Sequence, residues 1–195
     1  MPVNNLHITK SYQIKNLVCD SSILLLKDML SHAGFIVHDI KRGSVTLSYN
    51  PARLQESTLE KLLNKYRLNI IKDKEEQLVE AIKIAVYELI HQLNNVNSII
   101  QRSDYLVDKL GKSYQYLSKL FSKYEPLTLE KYIIHQKIER VKTLIDQGDF
   151  TLSEIAYMME YSSVQYLSNQ FKQISGISVT EYKRGIRLLP EEKIS

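Results

Sequence analysis

Cysteine is almost absent from this chain of 195 residues, with Cys19 the single thiol. One thiol supports no disulfide framework, and a reducing compartment is expected. Glycine is also scarce. The six glycines include none at G-x-G-x-x-G or P-loop spacing, which excludes the loops that cradle nucleotide phosphates. His7, His32, His38, His91 and His135 are scattered, and Cys19 has no local base partner. No catalytic residue is assigned, no cofactor is expected, and an enzyme is disfavoured. No apolar run approaches the roughly 20 residues that span a bilayer, and Ser22–Leu26 is far too short. The N-terminus lacks a basic-then-apolar leader, so neither membrane insertion nor secretion is expected. An excess of one charge is missing as well. The net charge is +4, and residues 1–95 hold 12 basic and 10 acidic side chains against 14 and 12 in residues 96–195. Overall charge therefore singles out neither half.

What the chain does have is a repeat. Ser113–Phe121 reads SYQYLSKLF, and fifty positions later Ser163–Phe171 reads SVQYLSNQF, with six of nine residues identical. Repetition at a fixed offset points to a duplicated supersecondary unit. Leu117 and Phe121 lie four apart on one helical face and recur as Leu167 and Phe171. Gln115 and Lys119 share another face, and their equivalents are Gln165 and Asn169. Two helices with the same apolar anchors and different polar tips suggest two reading heads on one ligand. Gln, Asn, Ser and Lys are side chains that hydrogen-bond base edges in a major groove.

The flanking residues set each string in the same frame. Ser103 reads as an N-cap and Gly111 as a left-handed stop before the first string; Thr151 with Glu154 forms a capping box before the second. Each unit thus reads as a short helix, a tight turn and a second helix opened by Ser113 or Ser163, the helix-turn-helix layout. A helical hairpin repeat used for protein contacts is the bland alternative, but two copies are too few for a solenoid. Thr128–Gln147, with Pro126 before it and Gly148 after it, reads as one helix with Ile134, Ile138, Val141 and Ile145 at helical spacing. Twenty residues span about 30 Å, close to the roughly 34 Å between successive major-groove faces. Lys112–Lys123 holds three lysines and no acid, and Tyr161–Gly176 holds Lys172 and no acid, whereas Asp104, Asp108, Glu139 and Glu154 sit on the scaffold helices. Lys112, Lys123 and Lys172 are the candidate phosphate contacts, with Ser113 and Ser163 at helix N-termini.

These residues carry a family resemblance. From about Leu106 to Arg184 the chain resembles the DNA-binding domain of AraC/XylS-type bacterial transcription regulators, through YLVDKLGKSYQYLSKLF, EKYIIHQKIERVKTLI, LSEIAYMMEYSSVQYLSNQFKQISGIS and the closing EYKR. It departs from the family pattern at Glu160, usually Gly, at Val179, usually Pro, and at Val107, usually Ala. The resemblance implies an all-helical domain that binds double-stranded promoter DNA, with RNA polymerase as a further partner. Carried over residue by residue, it puts Gln115, Ser118 and Lys119 on the base-reading side of the first recognition helix, and Val164, Gln165 and Asn169 in the second. Gln165 has a competing reading as a capping partner of Ser162.

The first half is a different object. Ser11–Val18 reads as a strand, Ser21–Ala33 as a helix ended by Gly34, and Phe35–Ile40 and Ser44–Tyr49 as strands around a Lys41-Arg42-Gly43 turn. A helix follows from an Asn50-Pro51 start through Tyr66, then a strand at Leu68–Ile71. The order βαββαβ is the ferredoxin-like pattern. In order, length and one motif position it resembles heavy-metal-associated domains, whose CxxC presents two thiolates to a soft metal. Here the run is Cys19-Asp20-Ser21-Ser22, so the second thiolate is missing and no metal site is assigned. Two further readings are a Cys19 that merely precedes a helix cap, and a metal site completed by Cys19 of a second copy.

Glu75–Leu93 reads as a long helix with Leu78, Ile82, Val86, Leu89, Ile90 and Leu93 on an apolar face, and Asn94–Asn97 as the break after it. The expected organisation is α+β overall: a small ferredoxin-like domain at 1–74, a connecting helix at 75–95, an all-α double helix-turn-helix domain at 96–190, and a tail at 191–195. The expected function is sequence-specific transcription regulation in the cytoplasm, at the nucleoid, with homodimerisation through the first domain or the 75–93 helix as an option. The alternative is a metal- or ligand-sensing protein whose N-terminal domain carries the main activity.

Overall fold

A computed structural model describes residues 7–91 and 102–185. The expected break at Asn94–Asn97, the end of the connecting helix at Leu93 and the 191–195 tail lie outside the described residues. The chain divides into two compact units, Met1–Tyr87 with Leu106–Tyr124, and Glu88–Tyr105 with Glu125–Ser195.

The first unit begins with β1 (Ile8–Lys15), α1 (Asp20–His32), β2 (Ile36–Lys41), β3 (Ser44–Tyr49), α2 (Glu56–Asn64) and β4 (Asn69–Ile70). The strands form one sheet in the order β2-β3-β1-β4, and every pairing is antiparallel. Alternation along β1 and β3 turns Tyr12, Ile14, Val45, Leu47 and Tyr49 into a core shared with Leu26, Leu30, Leu59 and Leu63 of the helices. Two elements move by more than a residue at their ends. β1 starts earlier than Ser11–Val18 because Ile8, Thr9 and Lys10 pair with Tyr49, Ser48 and Leu47 of β3, and ends earlier because Asn16 turns the chain at φ 66. The helix expected from Asn50-Pro51 starts only at Glu56. The Asn50 side chain accepts from the Ala52 amide at 2.9 Å, and its carbonyl accepts from Arg53 and Leu54, so the backbone makes a turn there. Cys19 is exposed at the N-cap of α1 and makes no side-chain cap bond. The Asp20 carboxylate is paired with Arg42, whose guanidinium lies 4.9 Å from the centre of the Tyr87 ring.

α3 (Lys74–His91) begins in this unit. Its buried side chains include Val79, Ile82, Ala85 and Val86, but also Glu80 and Lys83. Glu80 accepts from the Asn16 backbone amide at 2.8 Å, Lys83 donates to Asn16 Oδ1 at 3.0 Å, and the two charges are 3.4 Å apart. A Cβ on Gly43 would stand 2.8 Å from Ile84 Cδ1, the far end of a side chain that can turn aside, so the β2–β3 turn calls for glycine through its φ of +75°. Further along, α4 (Arg102–Leu110) and α5 (Tyr114–Tyr124) follow. Ser103 lies inside α4 and is not its N-cap.

The second unit holds α6 (Leu129–Gln147), α7 (Leu152–Met158), α8 (Val164–Ser175) and α9 (Val179–Lys183). α6 is capped by Thr128, whose hydroxyl accepts from the Lys131 amide, and stops at Gly148 with φ 77. Ile138 and Val141 are buried as their spacing predicts, while Ile134 and Ile145 are only half-buried. The core joins them to Ile155, Ala156, Tyr161, Leu167, Phe171 and Val179. Lys137 is buried as well, its ammonium 4.4 Å from the centre of the Tyr161 ring. Val179 occupies the first position of α9, after the N-cap Ser178 and its capping box with Glu181. That is where a helix tolerates proline, so the exchange of Pro for Val leaves the cap intact.

Candidate nucleic-acid interface

Both copies of the repeat fold as a helix that buries the same anchors. Leu117 and Phe121 of α5 and Leu167 and Phe171 of α8 are fully buried. The N-caps are also equivalent. Ser113 Oγ accepts from the Tyr116 amide at 3.3 Å, and Ser163 Oγ accepts from the Tyr166 amide at 3.1 Å. Ser163 is therefore the cap of α8, which overturns the reading of Gln165 as a capping partner of Ser162. The Gln165 side chain instead donates to Asn169 Oδ1 at 3.0 Å, one helical turn on.

The turns before these helices solve one problem with different residues. Gly111 ends α4 at φ 64, and Glu160 takes φ 56 after α7. Glu160 adopts the left-handed conformation without glycine's freedom, as its place in the sequence predicts. The Thr151–Glu154 capping box that opens α7 is complete, with amide-to-side-chain bonds of 2.7 and 3.2 Å. The Thr151 hydroxyl and amide hold the Glu154 carboxyl below its ordinary range. Replacing Glu160 with glycine is expected to stabilise the chain by about 0.5–1 kcal/mol, because the strain removed outweighs the added freedom of the unfolded chain. Chemical denaturation measures this, and a loss of stability would show that contacts of the Glu160 side chain outweigh its strain.

Of the candidate base readers, Gln115, Lys119, Gln165 and Asn169 are exposed on the faces opposite the buried anchors. Ser118 is half-buried. Val164 is half-buried and packs against the hydrophobic core of its unit. Among the candidate phosphate contacts, Lys112, Ser113, Ser163 and Lys172 are exposed. Lys123 is exposed but engaged. Its ammonium lies 2.6 Å from Glu75 Oε2, and the neighbouring Tyr124 hydroxyl is 2.9 Å from Glu75 and 3.0 Å from Asp73. The Glu75 carboxylate raises the Lys123 pKa, and together with Asp73 it pushes the Tyr124 phenol up to about 12.

Two side chains on the same faces escaped the sequence reading. Tyr116 is 43% exposed and Tyr166 is 53% exposed, beside Gln115 and Gln165. Their identity in both copies at a position that is not an anchor was the signal that could have found them. No group of three or more His, Cys, Asp or Glu side chains among the described residues could hold a metal ion. Nor is any described helix long and apolar enough to cross a membrane.

Paired short helix and recognition-type helix, with a tight turn between and a polar outer face, define a helix-turn-helix module. Residues 106–185 match the family model described as "Helix-turn-helix domain", and this segment is a helix-turn-helix domain of AraC/XylS type. The chain is similar to the xylose operon regulatory protein of Escherichia coli (strain K12), at 27% identity over 99 residues, 51% of this chain and 25% of that protein. It is also similar to the Msm operon regulatory protein of Streptococcus mutans serotype c, at 26% identity over 102 residues, 49% of this chain and 37% of that protein. The chain thus spans well under half the length of these relatives. Among solved structures, the C-terminal domain of AraT, a response regulator from Geobacillus stearothermophilus, aligns at 17% identity with a TM-score of 0.48, covering 63% of this chain and 97% of that one.

Proposed function

We propose that this chain is a sequence-specific regulator of transcription that reads promoter DNA with α5 and α8, each in its own major groove. The observation that carries the reading is the duplicated helix: identical buried anchors, equivalent serine caps, and outer faces that differ where Lys119 is replaced by Asn169. Gln and Asn pair bidentately with adenine and Lys favours guanine, so two such faces would read two different half-sites. α6, with 19 residues, is about 28 Å long, which suits heads one DNA turn apart. Ser118 and Val164 belong to the same proposal as lesser readers, and Lys112, Lys123, Lys172, Ser113 and Ser163 as phosphate contacts. Both heads share one chain, so an asymmetric or direct-repeat site is expected, with no need for palindromy.

The order β2-β3-β1-β4 supports reading the first half as a ferredoxin-like domain that is heavy-metal-associated in outline but lacks the second thiol. RNA polymerase as a second partner and residence at the nucleoid belong to the DNA-binding reading, and pairing of two chains through this domain or α3 is its option for assembly.

Selection of bound sequences from random DNA, followed by footprinting with the full chain, tests the function. Protection over about two turns at one chain per site is expected. Gln165→Ala should weaken binding about 10- to 100-fold and relax preference in one half-site only. Equal binding of every sequence by parent and variant, or an inverted repeat bound strictly by a dimer, would overturn the assignment.

A further inference from the structure

We propose that Asp73 and Glu75 form an acidic clasp that holds the C-terminal end of the first recognition helix away from DNA phosphate. The inference rests on the reading above, in which Lys123 meets phosphate. Asp73 precedes α3 and Glu75 lies in its first turn, whereas Lys123 and Tyr124 are the last two residues of α5. All belong to the same compact unit, although about fifty residues separate them in sequence. Lys123 Nζ donates to Glu75 Oε2 at 2.6 Å, and the single Tyr124 O–H is shared between Glu75 at 2.9 Å and Asp73 at 3.0 Å.

The arrangement acts on DNA in two ways. Glu75 takes one of the three ammonium donors of Lys123 and neutralises its charge, so a phosphate that meets Lys123 gains less from counterion release. The two carboxylates also lie beside Lys123 and Tyr124, and a phosphate that approached Lys123 would be repelled by them. The clasp is weak by construction. The Lys123 side chain is 62% exposed and that of Glu75 is 43% exposed, so solvent screens the pair and ordinary changes in the surroundings of α3 can open it. The α3 start is thereby placed to tie the state of the sheet domain to the strength of the first reading head.

Binding of the full chain to its selected DNA across a salt series tests this. Glu75→Gln should tighten binding about two- to five-fold and steepen the dependence on salt by about one, as Lys123 becomes available to phosphate. Lys123→Ala should weaken binding little in the parent and abolish the gain in the Glu75→Gln background. Glu60→Gln removes the same charge from the same domain without touching Lys123, and its effect should be smaller and independent of Lys123. Equal affinity of Glu75→Gln and parent, weaker binding by Glu75→Gln, or a gain that survives Lys123→Ala would each overturn the clasp. Failure of the parent to bind any DNA would instead overturn the function on which it rests.

Discussion

Phe171→Ala is expected to destabilise the second unit by about 3–5 kcal/mol. Phe171 is fully buried, and its ring meets Tyr182 edge-on with centroids 5.5 Å apart. Truncation removes the transfer free energy of the ring and leaves a cavity walled by α6, α7 and α9. Tyr182 is itself tied to α6 by a 2.9 Å bond from its hydroxyl to Asp146, so that wall cannot readily collapse inward. The loss should appear as a lower denaturant midpoint, with DNA binding failing in step because α8 loses its seat. A cost below about 1 kcal/mol would mean that the ring is not the anchor its burial makes it.

Glu80→Ala is expected to cost a similar amount, about 3–5 kcal/mol, by a different route. Removing Glu80 leaves the ammonium of Lys83 buried beside an amide that has lost its acceptor, since the Asn16 N–H donates to Glu80 at 2.8 Å. Asn16 holds φ 66 at the end of β1, and this bond pins that turn to α3. The double exchange Glu80→Met with Lys83→Leu should recover part of the loss, because the charge-desolvation penalty leaves together with the pair while the Asn16 amide still lacks its acceptor. If the single variant matched the parent in thermal and chemical denaturation, the pair would not be a determinant of α3 docking.

The contrast between those two sites shows where sequence is sufficient. Phe171 was legible as an anchor because the repeat fixes it four residues from Leu167, and helix geometry places such residues on one face. Several caps were legible for the same reason, though not the one expected at Ser103. Thr151 with Glu154, and Gly148, act within a turn of their own position, and local chemistry settles local structure. β3 at Ser44–Tyr49 and the span of α6 are likewise decided by near neighbours, whereas the left-handed Glu160 was marked only by the resemblance, which has glycine there.

Glu80 was not legible. Charged residues are ordinarily solvated, and the apolar stripe of the connecting helix passes them by; what buries Glu80 and Lys83 is a turn more than sixty residues earlier in the chain. The same holds for Lys137 beneath Tyr161, and for Lys123, which reads as a free cation until Glu75 is brought beside it. The helix expected from Asn50 failed on a smaller scale, where a side-chain acceptor captured the Ala52 amide in preference to a helical turn. The sequence by itself determined the duplicated helix-turn-helix units, their anchors, the caps at Ser113, Thr151 and Ser163 and the strand order along the chain, because these depend on spacing and on contacts within a few residues. Only the tertiary structure decided which charges are buried or occupied, because solvation and pairing depend on what distant segments bring into reach.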